Sequence, residues 1–150
     1  QMIKADKLKP IEVYPKEENR HPKAIWDIKD ARVTRNGRNV EVLMVAVRTS
    51  FEPTVIEVNQ GDKVTIYITN IEQTTDELHG FGLNEYNLNI VADPGETKVI
   101  EFIADKPGVF PYYCTNFCSA LHQEMQGYLL VRSNGTAARA RTAGPGLAAQ

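Results

Sequence analysis

The chain has 150 residues, 42% of them hydrophobic, enough for one ordinary domain with a sizeable core and too few for two. Its formal charge is −2, but residues 31 to 131 hold seven bases against thirteen acids, while residues 132 to 150 hold three arginines and no acid. No apolar run is long enough to span a bilayer, and no phosphate-binding loop, Ser-His-Asp arrangement, internal repeat or basic aromatic face supports nucleotide hydrolysis, acyl transfer or nucleic-acid binding.

In chain order, residues 1 to 30 mix Pro10, Pro15 and Pro22 with dense charge and read as an interdomain linker or an arm lying over the surface. Gln1-Met2 is followed by charged residues rather than an apolar signal segment, the pattern of an excised or mature fragment. Trp26, flanked by Ile25 and Ile28, is expected to anchor the arm at the edge of the fold, with an electron-relay role for its indole as the other reading. His21, between Arg20 and Pro22, carries no functional signal.

From residue 31 the signals are those of strands and turns. Asn36-Gly37 predicts a hairpin before the β-rich run Val40 to Arg48. Gln60-Gly61-Asp62 precedes a strand from Lys63 to Asn70, whose alternation puts Val64, Ile66 and Ile68 on one buried face. Pro94-Gly95 leads into Thr97 to Ala104, Pro107-Gly108 leads into Val109 to Tyr113, and Tyr128 to Val131 closes the set. Short strands at this spacing, with almost no helical periodicity, predict an all-β antiparallel sandwich over residues 31–131. Residues 132–150, rich in Ala, Gly, Thr and Arg without apolar periodicity, read as a flexible C-terminal tail.

The segment Cys-Thr-Asn-Phe-Cys-Ser-Ala-Leu-His-Gln-Glu-Met, Cys114 to Met125, carries the chemistry. Thiolate sulfur stabilises Cu(I), imidazole tolerates both oxidation states of copper, and a thioether is a weak ligand that adjusts potential. Two cysteines with three residues between them can aim both sulfurs at one point and bridge two metal ions; a single one would suggest a mononuclear site. His122 and Met125 follow at spacings that keep them on the same side. A Cys114-Cys118 disulfide is the competing reading of the pair. The set still lacks a donor, and His79, in Asp-Glu-Leu-His-Gly-Phe-Gly-Leu, is the candidate, carried to the cluster by a loop after the strand Lys63 to Asn70.

The pattern Cys114-x3-Cys118-x3-His122-x2-Met125 with an upstream His79 resembles the binuclear CuA domain shared by nitrous oxide reductases and subunit II of haem-copper oxidases. The likeness covers roughly Val40 to Val131. Tyr112-Tyr113-Cys114, Phe117-Cys118, Ala120-Leu121-His122, Glu124-Met125 and His79-Gly80-Phe81 resemble the nitrous oxide reductase branch, its C-terminal domain. Asn116 and Ser119 stand where the oxidase subunit usually has Glu and Gly.

The resemblance implies a cupredoxin-like Greek-key sandwich with the metal loops at one end. It implies that Cys114 and Cys118 bridge two coppers, that His79 and Met125 complete one, that His122 completes the other, and that the backbone carbonyl of Asn116 is the last ligand. Many relatives have Trp at position 116, so the shielding of the site there is expected to differ. The implied role is to take electrons from a c-type cytochrome or cupredoxin and pass them to a separate catalytic copper cluster in another domain of an exported, periplasmic homodimer. That makes the chain part of an oxidoreductase that would not turn over nitrous oxide alone. The acidic core would steer a basic donor. The alternatives are the soluble domain of an oxidase subunit II, a copper carrier with an open and exchangeable site, and a metal-free disulfide module.

Overall fold

The computed structural model describes residues 14–48, 50–74, 77–115 and 125–134. Ten strands run in order: β1 Arg32–Asn36, β2 Asn39–Val47, β3 Ser50–Glu52, β4 Val55–Asn59, β5 Lys63–Asn70, β6 His79–Leu83, β7 Leu88–Ala92, β8 Thr97–Ile103, β9 Gly108–Tyr113 and β10 Gln126–Arg132. They form two sheets. One has the order β1-β2-β5-β8, with β3 also paired to β2; the other has the order β4-β10-β9-β6-β7.

This is the expected sandwich, with β5 at the bounds its alternation indicates. Each sheet also contains one parallel pair, β2 with β5 and β4 with β10, in which strands separate in sequence lie side by side. The β1-β2 hairpin turns at Gly37, whose φ of 63° is a left-handed conformation that a side chain resists.

Strand β2 shows how sequence becomes packing. Its run Val-Glu-Val-Leu-Met-Val-Ala-Val lacks clean alternation because both of its faces are covered. Val40, Val42, Met44 and Ala46 point between the sheets, where they meet Val64, Ile66 and Ile68 of β5 and Phe81, Tyr112 and Leu129 of the opposite sheet. Leu43 and Val45 point outward and are buried by Ile25 of the N-terminal segment, with Ala31, Tyr67 and Ile71 around them. Ile25 is therefore the apolar plug, whereas Ile28 is exposed and Trp26 half-buried. No helix among the described residues is long and apolar enough to cross a membrane.

Phe51, Phe81 and Tyr112 pack ring against ring, with centroids 5.2 to 5.9 Å apart. The Tyr112 hydroxyl donates to the Pro53 carbonyl at 2.7 Å, so this buried ring has a fixed orientation.

Candidate metal centre

Three adjacent strands of the second sheet converge at one end of the sandwich. β9 ends at Tyr113 and hands the chain to Cys114; Met125 directly precedes β10; and β6 begins at His79. The β9-β10 ladder pairs Tyr113 with Gln126 and continues one step further, where the Cys114 N–H donates to the Met125 carbonyl at 2.9 Å. Cys114 and Met125, the two ends of the donor-rich segment, are thus clamped to each other by sheet hydrogen bonds. On the other side of β9, Gly82 of β6 pairs with Tyr113 and the Thr115 N–H reaches the Gly80 carbonyl.

Period-two alternation does the rest. His79 shares a face with Phe81 and Leu83, Cys114 with Tyr112, and Met125 with Leu129 and Val131, all core residues. An imidazole, a thiol and a thioether are thereby turned into the same apolar end of the sandwich. Their exposures are 1% for His79, 3% for Cys114 and 1% for Met125. His79 is the first residue of a strand rather than part of the loop expected to carry it, and that strand is buried along its whole length. Asn116, Cys118 and His122 lie outside the described residues.

The imidazole is held from behind. Its Nε2 lies 2.8 Å from Oε2 of Glu72, and Glu72 also accepts the backbone N–H of Arg48. Arg48 pairs through its guanidinium with Glu77, which places a compensating positive charge beside the two carboxylates. Asn70, fully buried, positions this segment: its amide donates to the carbonyls of Glu77 at 2.8 Å and Ala92 at 2.9 Å, and its oxygen accepts the Glu72 N–H at 3.0 Å. Sequence reasoning passed over Arg48, Asn70, Glu72 and Glu77. The signal available was the acidic run of Glu72, Asp76 and Glu77 just before His79.

Burial pushes the His79 imidazolium down, but the Cys114 sulfur and the Glu72 carboxylate push the other way and win, so its pKa is raised. With Nε2–H donated to Glu72, the remaining lone pair is on Nδ1, which is buried and has no nitrogen or oxygen partner among the described residues, the Cys114 sulfur being the group that faces the ring besides Glu72. A buried nitrogen of this kind costs stability unless something binds it. Together with thiol and thioether groups from the neighbouring strand ends, it forms a soft N/S donor set suited to copper, and the carboxylate behind the histidine is the usual device for orienting a metal-binding ring.

Two sheets of this topology with a donor cluster at one end define a cupredoxin, and comparison agrees: residues 24–131 match the cupredoxin-like domain family, and the chain belongs to it. Among curated relatives, it is 39% identical over 132 residues to nitrous-oxide reductase of Cupriavidus necator, covering 88% of this chain and 20% of that protein. It is 30% identical over 108 residues to cytochrome c oxidase subunit 2 of Thermus thermophilus, covering 71% of this chain and 77% of that one. Among solved structures, a heme-copper terminal oxidase chain superposes with a TM-score of 0.57 at 25% identity, covering 73% of this chain and 77% of that one. The chain spans about a fifth of the length of the nitrous-oxide reductases it resembles.

Proposed function

We propose that the chain is a copper electron-transfer domain with a binuclear CuA centre held by His79, Cys114, Cys118, His122, Met125 and the backbone carbonyl of Asn116. It takes electrons from a c-type cytochrome or cupredoxin and passes them to the catalytic copper cluster of a periplasmic, homodimeric nitrous-oxide reductase. The observation that carries this reading is the convergence of His79, Cys114 and Met125 on one buried end of the sandwich, with Nδ1 of His79 lacking a nitrogen or oxygen partner among the described residues. The similarity to nitrous-oxide reductases over most of the chain supports the parent enzyme.

When bound, a pair of coppers would supply a one-electron carrier whose charge is spread over many bonds. The chain's own residues do the rest. The β9-β10 ladder clamps Cys114 against Met125, Glu72 holds the His79 ring, and the apolar core around Phe81 and Tyr112 excludes water. A site that is already rigid and dry changes little between oxidation states, which favours rapid transfer. Three histidines in the whole chain are too few to build a second, catalytic cluster as well, so turnover of nitrous oxide is assigned to another domain.

The similarity to subunit 2 of cytochrome c oxidase, most of whose length the chain covers, favours one second reading: the soluble copper domain of an oxidase. Electron paramagnetic resonance of the copper-loaded, partly oxidised protein, with its copper-to-protein ratio, tests the centre. Hyperfine structure from two equivalent coppers sharing one electron is the expected result, and a single-copper pattern would overturn it. The coding sequence upstream of Gln1 separates the two parents, a large His-rich domain meaning the reductase and transmembrane helices meaning the oxidase.

A further inference from the structure

We propose that Trp26 and Tyr14 form an electron-uptake route of this domain, carrying charge from the surface of the N-terminal segment to His79. The inference rests on the electron-transfer reading above. Its basis is a chain of contacts that ends on the histidine.

The Trp26 and Tyr14 rings are 4.6 Å apart between centroids, tilted by 41°. The Tyr14 hydroxyl donates to the Ile71 carbonyl, far away in sequence, and the side chain of Gln73 bonds the same hydroxyl. Ile71 is covalently joined to Glu72, whose carboxylate holds Nε2 of His79 at 2.8 Å. Every link is a ring contact, a covalent bond or a hydrogen bond. Electronic coupling decays far less along such links than across empty space, so this sequence of contacts conducts better than a comparable span of loosely packed protein.

Anchoring alone does not account for the arrangement. Ile25 already fastens the segment by burying itself against Leu43 and Val45. Tyr14 and Trp26 stay half-exposed, so the far end of the route is open to a partner, while its near end bonds the carbonyl of Ile71, the chain neighbour of the Glu72 that orients the His79 ring. Arg20 lies over the Trp26 ring at 5.0 Å and is itself held by the Pro15 carbonyl at 3.0 Å. A cation in that position makes removal of an electron from the indole harder, so the rings serve as a bridge without being oxidised themselves. The balance is simple: the donor loses one electron, the copper centre gains it, no bond forms or breaks, and Tyr14 keeps its proton.

The test uses the copper-loaded full chain, Tyr14→Phe, which keeps the ring and removes the hydroxyl, and Trp26→Leu, which removes the outer ring. Stopped-flow reduction by a soluble c-type cytochrome is expected to slow several-fold in Tyr14→Phe and further in Trp26→Leu. Reduction by hexaammineruthenium(II), which needs no docking site, should be unchanged, as should the copper absorption spectrum and reduction potential. Trp26 is the sole tryptophan, so its indole N–H resonance in the copper-free protein reports docking directly. That resonance should shift on titration with the cytochrome.

Equal cytochrome rates in all three proteins, or an indole signal that stays still while other resonances shift, would overturn the route and leave the electron-transfer reading intact. A changed potential or spectrum in Tyr14→Phe would also overturn it, by showing that the hydroxyl acts on the site's structure. Failure of the cytochrome to reduce the unaltered protein would sink both.

Discussion

Gly127, two residues beyond Met125, sits where β10 crosses the buried aromatic cluster, and an added methyl has nowhere to go. A Cβ there would lie 2.4 Å from the Thr54 carbonyl oxygen and 2.5 Å from two carbons of the Tyr112 ring. Neither neighbour can retreat freely. The Thr54 carbonyl accepts the Tyr128 N–H at 2.8 Å, and the Tyr112 hydroxyl is bonded to Pro53.

Overpacking of this kind costs about 1–3 kcal/mol, and stretching the Tyr112 hydrogen bond adds about 1 kcal/mol. The lower chain entropy of unfolded Ala returns about 0.5–1 kcal/mol. Gly127→Ala should therefore destabilise by about 1–3.5 kcal/mol, which for a domain of this size lowers the melting midpoint by about 4–14 °C. Circular dichroism melts of the copper-free chain measure this. Gly37→Ala provides the contrast: its Cβ meets nothing within 4 Å, so its cost is that of a left-handed conformation alone, about 1–2 kcal/mol. A Gly127→Ala midpoint within about 2 °C of the parent would refute the reasoning, since a loss of about 1 kcal/mol would already shift it further.

Glu72→Ala removes the acceptor that orients His79, and copper affinity should fall by about 10- to 100-fold in competition with a chelator, as for other residues supporting metal-bound histidines; unchanged affinity would mean the ring is held by other contacts. Cys118→Ser should abolish the paired copper spectrum, whereas Met125→Leu should mainly shift potential and spectrum, because a thioether is the weaker donor; equal effects would contradict that ranking. At the opposite end of the sandwich, burial raises the Asp62 carboxyl but hydrogen bonds from Arg35 and the Asn59 N–H outweigh it, leaving a lowered pKa. A lowered carboxylate stabilises the fold above its unfolded pKa and loses that contribution as pH falls through the folded value. Asp62→Ala should thus cost about 2 kcal/mol at neutral pH in urea titrations, with the gap to the parent narrowing in acid; a gap independent of pH would show that the charge is not the source.

Much of the strand pattern was legible because local signals and tertiary demands agree. Alternation marked β5 and turn residues marked the entrances to β2, β8 and β9. β4 and β7 went unmarked although their burial alternates, whereas β6 and β3 were missed because their surroundings suppress such signals. β6, His-Gly-Phe-Gly-Leu, is buried on both faces, with Gly82 where Tyr113 and Thr115 press close, so it shows no polar alternation. β3 is three residues long and owes its existence to pairing with β2. The N-terminal segment's plug, Ile25, depends on the outward face of β2 being apolar, a fact visible only once the strand is in its sheet.

By itself, the sequence determined the chemistry on offer: which soft donors the chain carries, and the spacing of Cys114, Cys118, His122 and Met125 along the chain. Spacing along the chain is a covalent property, and no folding is needed to state it. The tertiary structure decided which distant groups come to Cys114. It set His79 at the mouth of β6 beside β9, turned Glu72 onto the Nε2 of its ring, and brought Arg48 to the two carboxylates. Strand order and register govern those encounters, and they come from burying two sheet faces at once, which no local stretch of the chain encodes.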